Sequence, residues 1–471
     1  MTLNLAVFMV YCTAFIGLGI WVGRKVDTGA AFFVANRRLG PALIFSTVLA
    51  ANIGAGSTIG AAGLGYRDGL ASWWWVGSAA IGTFFLAFWV GPKIWKIASN
   101  SGLYTLGDYL QVRYGSGVRA SITSIIWIST PALLAAQLIA MAKILGFLIG
   151  TSYEVSVLMG AVIISLYFVG GGLLSTAWVN MIHLIVLMSG FIIIVPWSLS
   201  SAGGWEVVTT SLPAKSDYLN FWEGGQSGWI LLAVLAPNFI VSPGIIQKVY
   251  GALDERAVRI GLTATAISLL IFAIVPTFLG MIAHTYNPAL MDNEDALLLV
   301  LDSGLPAIIG ALGLAAIFSA EISSADAILY MLATSLSKDL YQRHVNPQAS
   351  DSELLSVARW AALSGAILSV ALALVLPSII GALTIFYSLI AVCVFIPVVG
   401  GLFSQHPSSL EALASGGVGL TTFLLAQFLT TTDNSMLLQP HLIALIASGT
   451  TFTSISIWRS KVSGKNCLKD I

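Results

Sequence analysis

Residues 46–66 read STVLAANIGAGSTIGAAGLGY, and residues 231–251 read LLAVLAPNFIVSPGIIQKVYG. Both are apolar runs of about the 20 residues that cross a bilayer's hydrocarbon core as a helix. Both are also interrupted. The first carries Gly54, Gly56, Gly60 and Gly63 inside the run; the second carries Pro237 and the triplet Ser242-Pro243-Gly244. Proline removes an amide hydrogen and clashes with the preceding turn, while glycine leaves the backbone free to depart from the helix. At membrane depth, freed backbone groups are tolerated only where they are buried in protein or line a polar cavity. Glycine also serves close helix packing. The weight of the two breaks therefore lies in their matching places along the chain.

Outward from these runs, hydropathy with Gly, Pro and charge clusters as breaks gives about 13 spans. They fall near 4–23, 41–65, 70–92, 120–149, 154–170 and 174–198, then 228–248, 257–283, 304–337, 354–376, 380–403, 410–430 and 439–458. The broken runs are spans 2 and 7, five apart. Spans 2–6 and 7–11 then form two five-helix halves of opposite orientation, a core of about 41–198 and 228–403. Spans 1, 12 and 13 are peripheral. The expected fold is all-α and polytopic, one transmembrane domain built from two inverted repeats.

Composition agrees. The 471 residues are 57% hydrophobic and 9% charged, with a mean hydropathy of +0.91. A soluble globular chain carries about 25% charged residues. No run of short alternating segments suggests a β-barrel. A net charge of zero argues against nucleic acid as a partner, and three scattered cysteines offer neither a disulfide framework nor a zinc site. The first apolar stretch precedes its basic cluster, the wrong order for a cleaved signal, so it is expected to stay as span 1. The five histidines are dispersed and no nucleophile–base spacing occurs, so an enzyme is not expected.

Basic residues orient the spans. With the N-terminus outside and the C-terminus cytoplasmic, all but three of the 21 Lys and Arg fall in inner loops or at inner helix ends, Lys248 among them. Arg67 and Lys215 fall outside, and Lys143 lies within span 4. The acidic loop Asp292, Glu294, Asp295, Asp302 falls outside.

Polar residues at membrane depth are expensive and usually functional. The densest group is in span 9, AAIFSAEISSADAILYMLATSLSKDLY at 315–341, where Ser319, Glu321, Ser323, Ser324 and Asp326 cluster. Hydroxyl and carbonyl oxygens suit a hard cation such as sodium, and nothing here offers soft-metal ligands. Two readings stand for Lys143: it snorkels outward, or it pairs with an acid such as Glu321. Asn52, beside the break in span 2, contacts a substrate or caps a half-helix. Asn180 and His183 open span 6.

With these residues assembled, the chain resembles the sodium:solute symporter family, which carries proline, sugars, pantothenate, sialic acid and choline. The resemblance runs from about residue 5 to 430. It rests on FFVANRRLG (32–40), TLGDYLQVRYGS (105–116), GGGLLSTAWVNMIH (170–183), SPGIIQKVYGALDERAV (242–258) and SAEISSADAILYMLATSLSKDLY (319–341), in that order. It implies alternating access around a central site, with sodium as coupling ion and no other cofactor. It also implies a sodium ion between spans 2 and 9, held by the carbonyls of Ala50, Ile53 and Ala320 and the hydroxyls of Ser323 and Ser324.

Three departures refine the expectation. Some members hold a second sodium on an aspartate opening span 6; here that position is Asn180, so one ion is expected, with Asp326 as the residue able to restore the charge. Sugar carriers of the family place a Glu in span 3 and an Asn in span 7; the matching positions are Val76 and Leu235, which disfavours a sugar. Glu321 beside the serines is unusual, and is open to binding a cationic substrate, to proton coupling or to pairing with Lys143. The expected substrate contacts are Asn52, Asn238 and Glu321, the solute an amino acid or small carboxylate, and the location the cell inner membrane. Rival readings are a proton-coupled carrier on the same scaffold and a transporter-like sensor. The latter usually appends a signalling domain, and only about a dozen residues follow span 13.

Overall fold

The computed structural model describes residues 33–168, 173–214, 217–376, 378–429 and 440–467, with five isolated positions before residue 33. Span 1 lies outside the described residues. Spans 2–13 all fall on helices. Among the described residues, ten helical runs are long and apolar enough to cross a membrane. The smaller number has a simple origin in span 2. Its first half, Pro41–Asn52, is short on its own. Its second half runs on with span 3 as one helical stretch, Gly56–Ser101, which reverses at Gly69 with φ +71°, a conformation that glycine adopts without strain. Span 5, Tyr153–Phe168, is also short.

Both predicted breaks are present. Span 2 stops at Asn52, passes through extended backbone at Ile53, and resumes in a π-helical turn, Gly56–Gly60, before Ala61–Asp68. Span 7 is Leu231–Val241, a non-helical Ser242, then Pro243–Tyr250 with its proline in the first turn. A proline there loses no hydrogen bond, so the triplet ends one half-helix and starts the next.

The repeat shows in the packing. Span 2 lies against spans 6 and 8, and span 7 lies against spans 11 and 3, the same neighbours moved on by five. Span 4 packs on spans 10 and 11, and span 9 packs on spans 5 and 6. These contacts of one half have their images in the other, as two repeats of five spans would give. Spans 12 (Ser409–Leu429) and 13 (Pro440–Cys467) pair with each other beside span 11.

Short elements between the spans satisfy backbone groups that helix ends leave over. The helix Leu106–Tyr114 opens with a capping box between Thr105 and Asp108. Its Tyr109, Arg113 and Tyr114 donate to the carbonyls of Val398, Gly401, Ser404 and Pro397 at one end of span 11. Arg119, at the start of span 4, pairs with Asp108 at 2.9 Å and with the buried Asp339 at 2.7 Å. At the opposite end of span 11, the Glu294 carboxylate accepts from the amides of Ile379 and Ile380 at 3.1 and 3.2 Å. Lys143 takes neither a free aqueous position nor Glu321. Its ammonium pairs with Asp292 at 2.6 Å and Asp295 at 2.7 Å, in the acidic loop after span 8.

Candidate functional site

The break in span 2 frees particular carbonyls. In an unbroken helix Gly54 N–H would donate to Ala50 and Ser57 N–H to Ile53. Instead Gly54 N–H donates to the Ser57 hydroxyl at 3.0 Å, and Ser57 N–H turns to the Gly54 carbonyl at 3.0 Å. The Ala50 and Ile53 carbonyls are left to the other half of the molecule. Ser324 of span 9 (Ala307–Thr334) reaches them: its hydroxyl oxygen is 3.1 Å from Ala50 O and 3.0 Å from Ile53 O. Span 9 can approach this closely because residue 54 has no side chain. A Cβ there would lie 2.5 Å from Ser324 Oγ and 2.8 Å from Gln137 Oε1.

The two serines do different things. Residues one apart on a helix point about 100° apart, and Ser323 turns to span 6, donating to Asn180 Oδ1 at 2.7 Å. One turn earlier on that face Ser319 bonds His183. So the structure brings Ala50, Ile53 and Ser324 together, with Ser323 beside them on Asn180. Ala320, one turn before Ser324, is buried on the same helix. Asn180 is fully buried and its Nδ2 has no partner among the described residues. Asp326 is buried one turn beyond Ser323 and interacts electrostatically with Lys248.

A cavity of about 90 Å³ lies against this break, room for several waters. Its wall includes Asn52, Gln137 and Ser324 on one side and Asn238, Ser242 and Lys248 of span 7 on the other. Asn238 donates to the carbonyls of Val234 and Tyr387, both at 2.7 Å, which leaves its Oδ1 buried without a partner among the described residues. Asn52 Nδ2 is likewise unpartnered. Val76 and Leu235 stand in the same wall, both apolar. Trp75, Leu235 and Tyr387 separate this cavity from a second one of about 420 Å³, lined by Arg67, Glu223 and His441 among others. The Trp75 and Tyr387 rings lie 6.1 Å apart, and those of Phe239 and Tyr387 5.8 Å apart.

One expectation needs correction. Glu321 is absent from the residues lining the central cavity. It is wholly buried behind the wall, where Thr58 donates to it at 3.0 Å. Residues three apart share a helix face, so Glu321 faces the break as Ser324 does, one turn away. Lys248, which charge counting placed among the inner loops and inner helix ends, is 2% exposed and stands in the cavity wall. A cation near a predicted helix end is readily assigned to the interface, because hydropathy gives a span's length and not its lean.

Sequence reasoning missed Gln137, whose Oε1 accepts from Ala55 N–H at 3.0 Å and caps the second half of span 2. The available signal was a lone amide in the otherwise apolar run of span 4. It also missed Thr58 and the ring layer of Trp75 and Tyr387, since no local pattern marks side chains that meet from distant spans.

Comparison with known proteins follows the same line. A model of the sodium:solute symporter family matches residues 32–419. The sodium/glucose cotransporter of Vibrio parahaemolyticus is 25% identical, over 90% of this chain and 80% of its own length. The sodium/pantothenate symporter of Escherichia coli (strain K12) is 25% identical, over 73% of each chain. The fold matches that of a Na+-coupled sialic acid symporter solved substrate-bound and outward-open, with a TM-score of 0.84 over 97% of this chain and 98% of that one, at 17% identity. With the family match covering most of a chain whose broken span 2 meets span 9 at an oxygen-lined point, this multi-pass membrane protein belongs to the sodium:solute symporter family.

Proposed function

We propose that the protein is a sodium-coupled symporter that carries a small organic solute across the cell inner membrane by alternating access, with the N-terminus outside and the C-terminus in the cytoplasm. The observation that carries this reading is the meeting of Ala50 O, Ile53 O and Ser324 Oγ within 3.1 Å. Three oxygens converge there with one hydroxyl proton among them. A hard cation held between them would satisfy all three, and oxygen ligands of this kind suit sodium. The Ala320 carbonyl and the Ser323 hydroxyl complete the proposed set.

Sodium at this point ties span 2 to span 9. Occupancy favours whichever arrangement brings the two together, since a ligand shifts an equilibrium only by its differential affinity for the two states. On this reading sodium stabilises the outward-open state, solute joins it, and rocking of the core releases both inside. The membrane potential gives direction, at about 2.3 kcal/mol per charge per 100 mV. Solute binds in the central cavity, where Asn52 offers a free donor and Asn238 a free acceptor. Apolar Val76 and Leu235 in the wall favour an amino acid or small carboxylate over a sugar. One sodium per cycle is the simplest stoichiometry, because Ser323 is engaged by the neutral Asn180.

The test is a melting-temperature screen of purified protein against amino acids, carboxylates, sugars, nucleobases and quaternary amines, in sodium and in potassium. A bound solute at 100 times its Kd stabilises by about 2.7 kcal/mol, an easily measured shift. The reading expects stabilisation by an amino acid or carboxylate in sodium alone. A solute that stabilises equally in potassium sinks it.

A further inference from the structure

We propose that Glu321 is the anionic partner of the transported cation, so that its carboxylate gives the cation site a formal negative charge. The inference rests on the reading of Ser324 as the centre of that site, and names a charge that the site's neutral oxygens lack.

Glu321 is 0% exposed. One carboxylate oxygen accepts from the Thr58 hydroxyl at 3.0 Å. The other oxygen, Oε2, has no hydrogen-bond partner, and no Lys, Arg or His pairs with this carboxylate among the described residues. Two of the cations on span 4 are paired elsewhere, Lys143 with Asp292 and Asp295 and Arg119 with Asp108 and Asp339, and Lys248 of span 7 interacts electrostatically with Asp326. His183 of span 6 is bonded to Ser319. An isolated carboxylate away from water is strongly unfavourable unless a cation joins it or a proton neutralises it.

The surroundings point to where that cation sits. Thr58 has one hydroxyl proton, yet its oxygen is 2.9 Å from Gly54 O and 3.0 Å from Glu321 Oε1. Ser324 repeats this pattern with Ala50 and Ile53. The two clusters join through consecutive residues, Ile53 and Gly54, and through one turn of span 9. The break in span 2 thus presents the two freed carbonyls of Ala50 and Ile53 and the Ser324 hydroxyl, with the unpaired carboxylate oxygen of Glu321 one turn away on span 9. An ionised Glu321 leaves this group short of positive charge, and one small hard monovalent cation supplies it.

The experiment is equilibrium binding of radioactive sodium to purified full-length protein, with sodium-induced change in melting temperature as a second readout. Glutamine keeps the size of Glu321 and its acceptor for Thr58 but not the charge. A unit charge one helical turn away, in a protein interior, is worth roughly tenfold or more in affinity. Glu321→Gln is therefore expected to weaken sodium binding by at least about tenfold. Glu321→Asp, which keeps the charge, is expected to stay within about threefold of wild type. Sodium binding by Glu321→Gln at wild-type strength overturns the proposal, and is also what a permanently protonated Glu321 would give. An equal loss in Glu321→Asp assigns the effect to shape and overturns it as well. If Glu321→Gln yields no folded protein, Glu321→Asp carries the test alone on the same threshold. Ser324→Ala separates the two claims. Binding lost in Ser324→Ala but intact in Glu321→Gln removes only Glu321's role; binding intact in both removes the Ser324 site itself, and with it this proposal.

Discussion

Replacing Ser324 by alanine removes one oxygen and adds nothing, so the change is sterically mild even where Gly54 lies close. In the sodium-free protein the loss is one neutral hydroxyl bond shared between the Ala50 and Ile53 carbonyls, at 3.1 and 3.0 Å, a net contribution of about 1 kcal/mol. In the sodium-bound protein the same oxygen faces a charge, and interactions with charged groups contribute about 1.5–3 kcal/mol. The difference, about 0.5–2 kcal/mol, is what sodium loses in affinity, roughly two- to thirty-fold. Uptake by protein reconstituted in liposomes, measured against sodium concentration, should show a half-saturation raised by that factor. Ser323→Ala removes a bond to Asn180 rather than to the break, so its shift should be clearly smaller. An unchanged half-saturation in Ser324→Ala refutes the reasoning. A larger shift in Ser323→Ala than in Ser324→Ala refutes the assignment of the centre.

Three further outcomes are expected. Gly54→Ala places a methyl 2.5 Å from Ser324 Oγ and 2.8 Å from Gln137 Oε1; it should cost about 1–3 kcal/mol of stability and abolish sodium-dependent stabilisation, and a variant that keeps wild-type sodium affinity contradicts the close approach. Lys143→Met breaks two pairs with half-exposed aspartates, so it should lower stability by only about 1 kcal/mol and leave the sodium half-saturation unchanged; a changed half-saturation would link Lys143 to the cation site after all. Glu294 lies in the loop after span 8, where burial raises its carboxyl above the ordinary 4.5, against the lowering effect of the Ile379 and Ile380 amides. A raised carboxyl favours the folded state when protonated, so its contribution is present below about pH 4.5 and fades as pH rises through the raised value. Glu294→Gln should therefore flatten the dependence of melting temperature on pH across that window, and an unaltered profile contradicts the assignment.

The fold was legible because its two decisive features are local. Glycines at 54, 56, 60 and 63 and the triplet at 242–244 mark the breaks within single runs, and five-span spacing then sets the repeat. Ser324 was legible for the same reason, a hydroxyl within an apolar helix. What the chain does not display locally is which way each residue of span 9 faces. A rotation of one position separates Ser324, on the carbonyls of span 2, from Ser323, on Asn180. Glu321 illustrates the same limit: its depth was legible, but its place behind the cavity wall depends on Thr58, 263 residues away in sequence. Lys143 was open between snorkelling outward and pairing with an acid such as Glu321, and its partners Asp292 and Asp295 come from a loop about 150 residues away in sequence. The burial of Lys248 was not legible either, because charge counting uses position along the chain, whereas burial depends on what packs around it.

The most direct test of the central claim is solute uptake into liposomes containing the purified protein, with an imposed sodium gradient compared with an imposed proton gradient at equal membrane potential. The account predicts accumulation above the outside concentration with the sodium gradient alone. Accumulation driven by the proton gradient in the absence of sodium would contradict it.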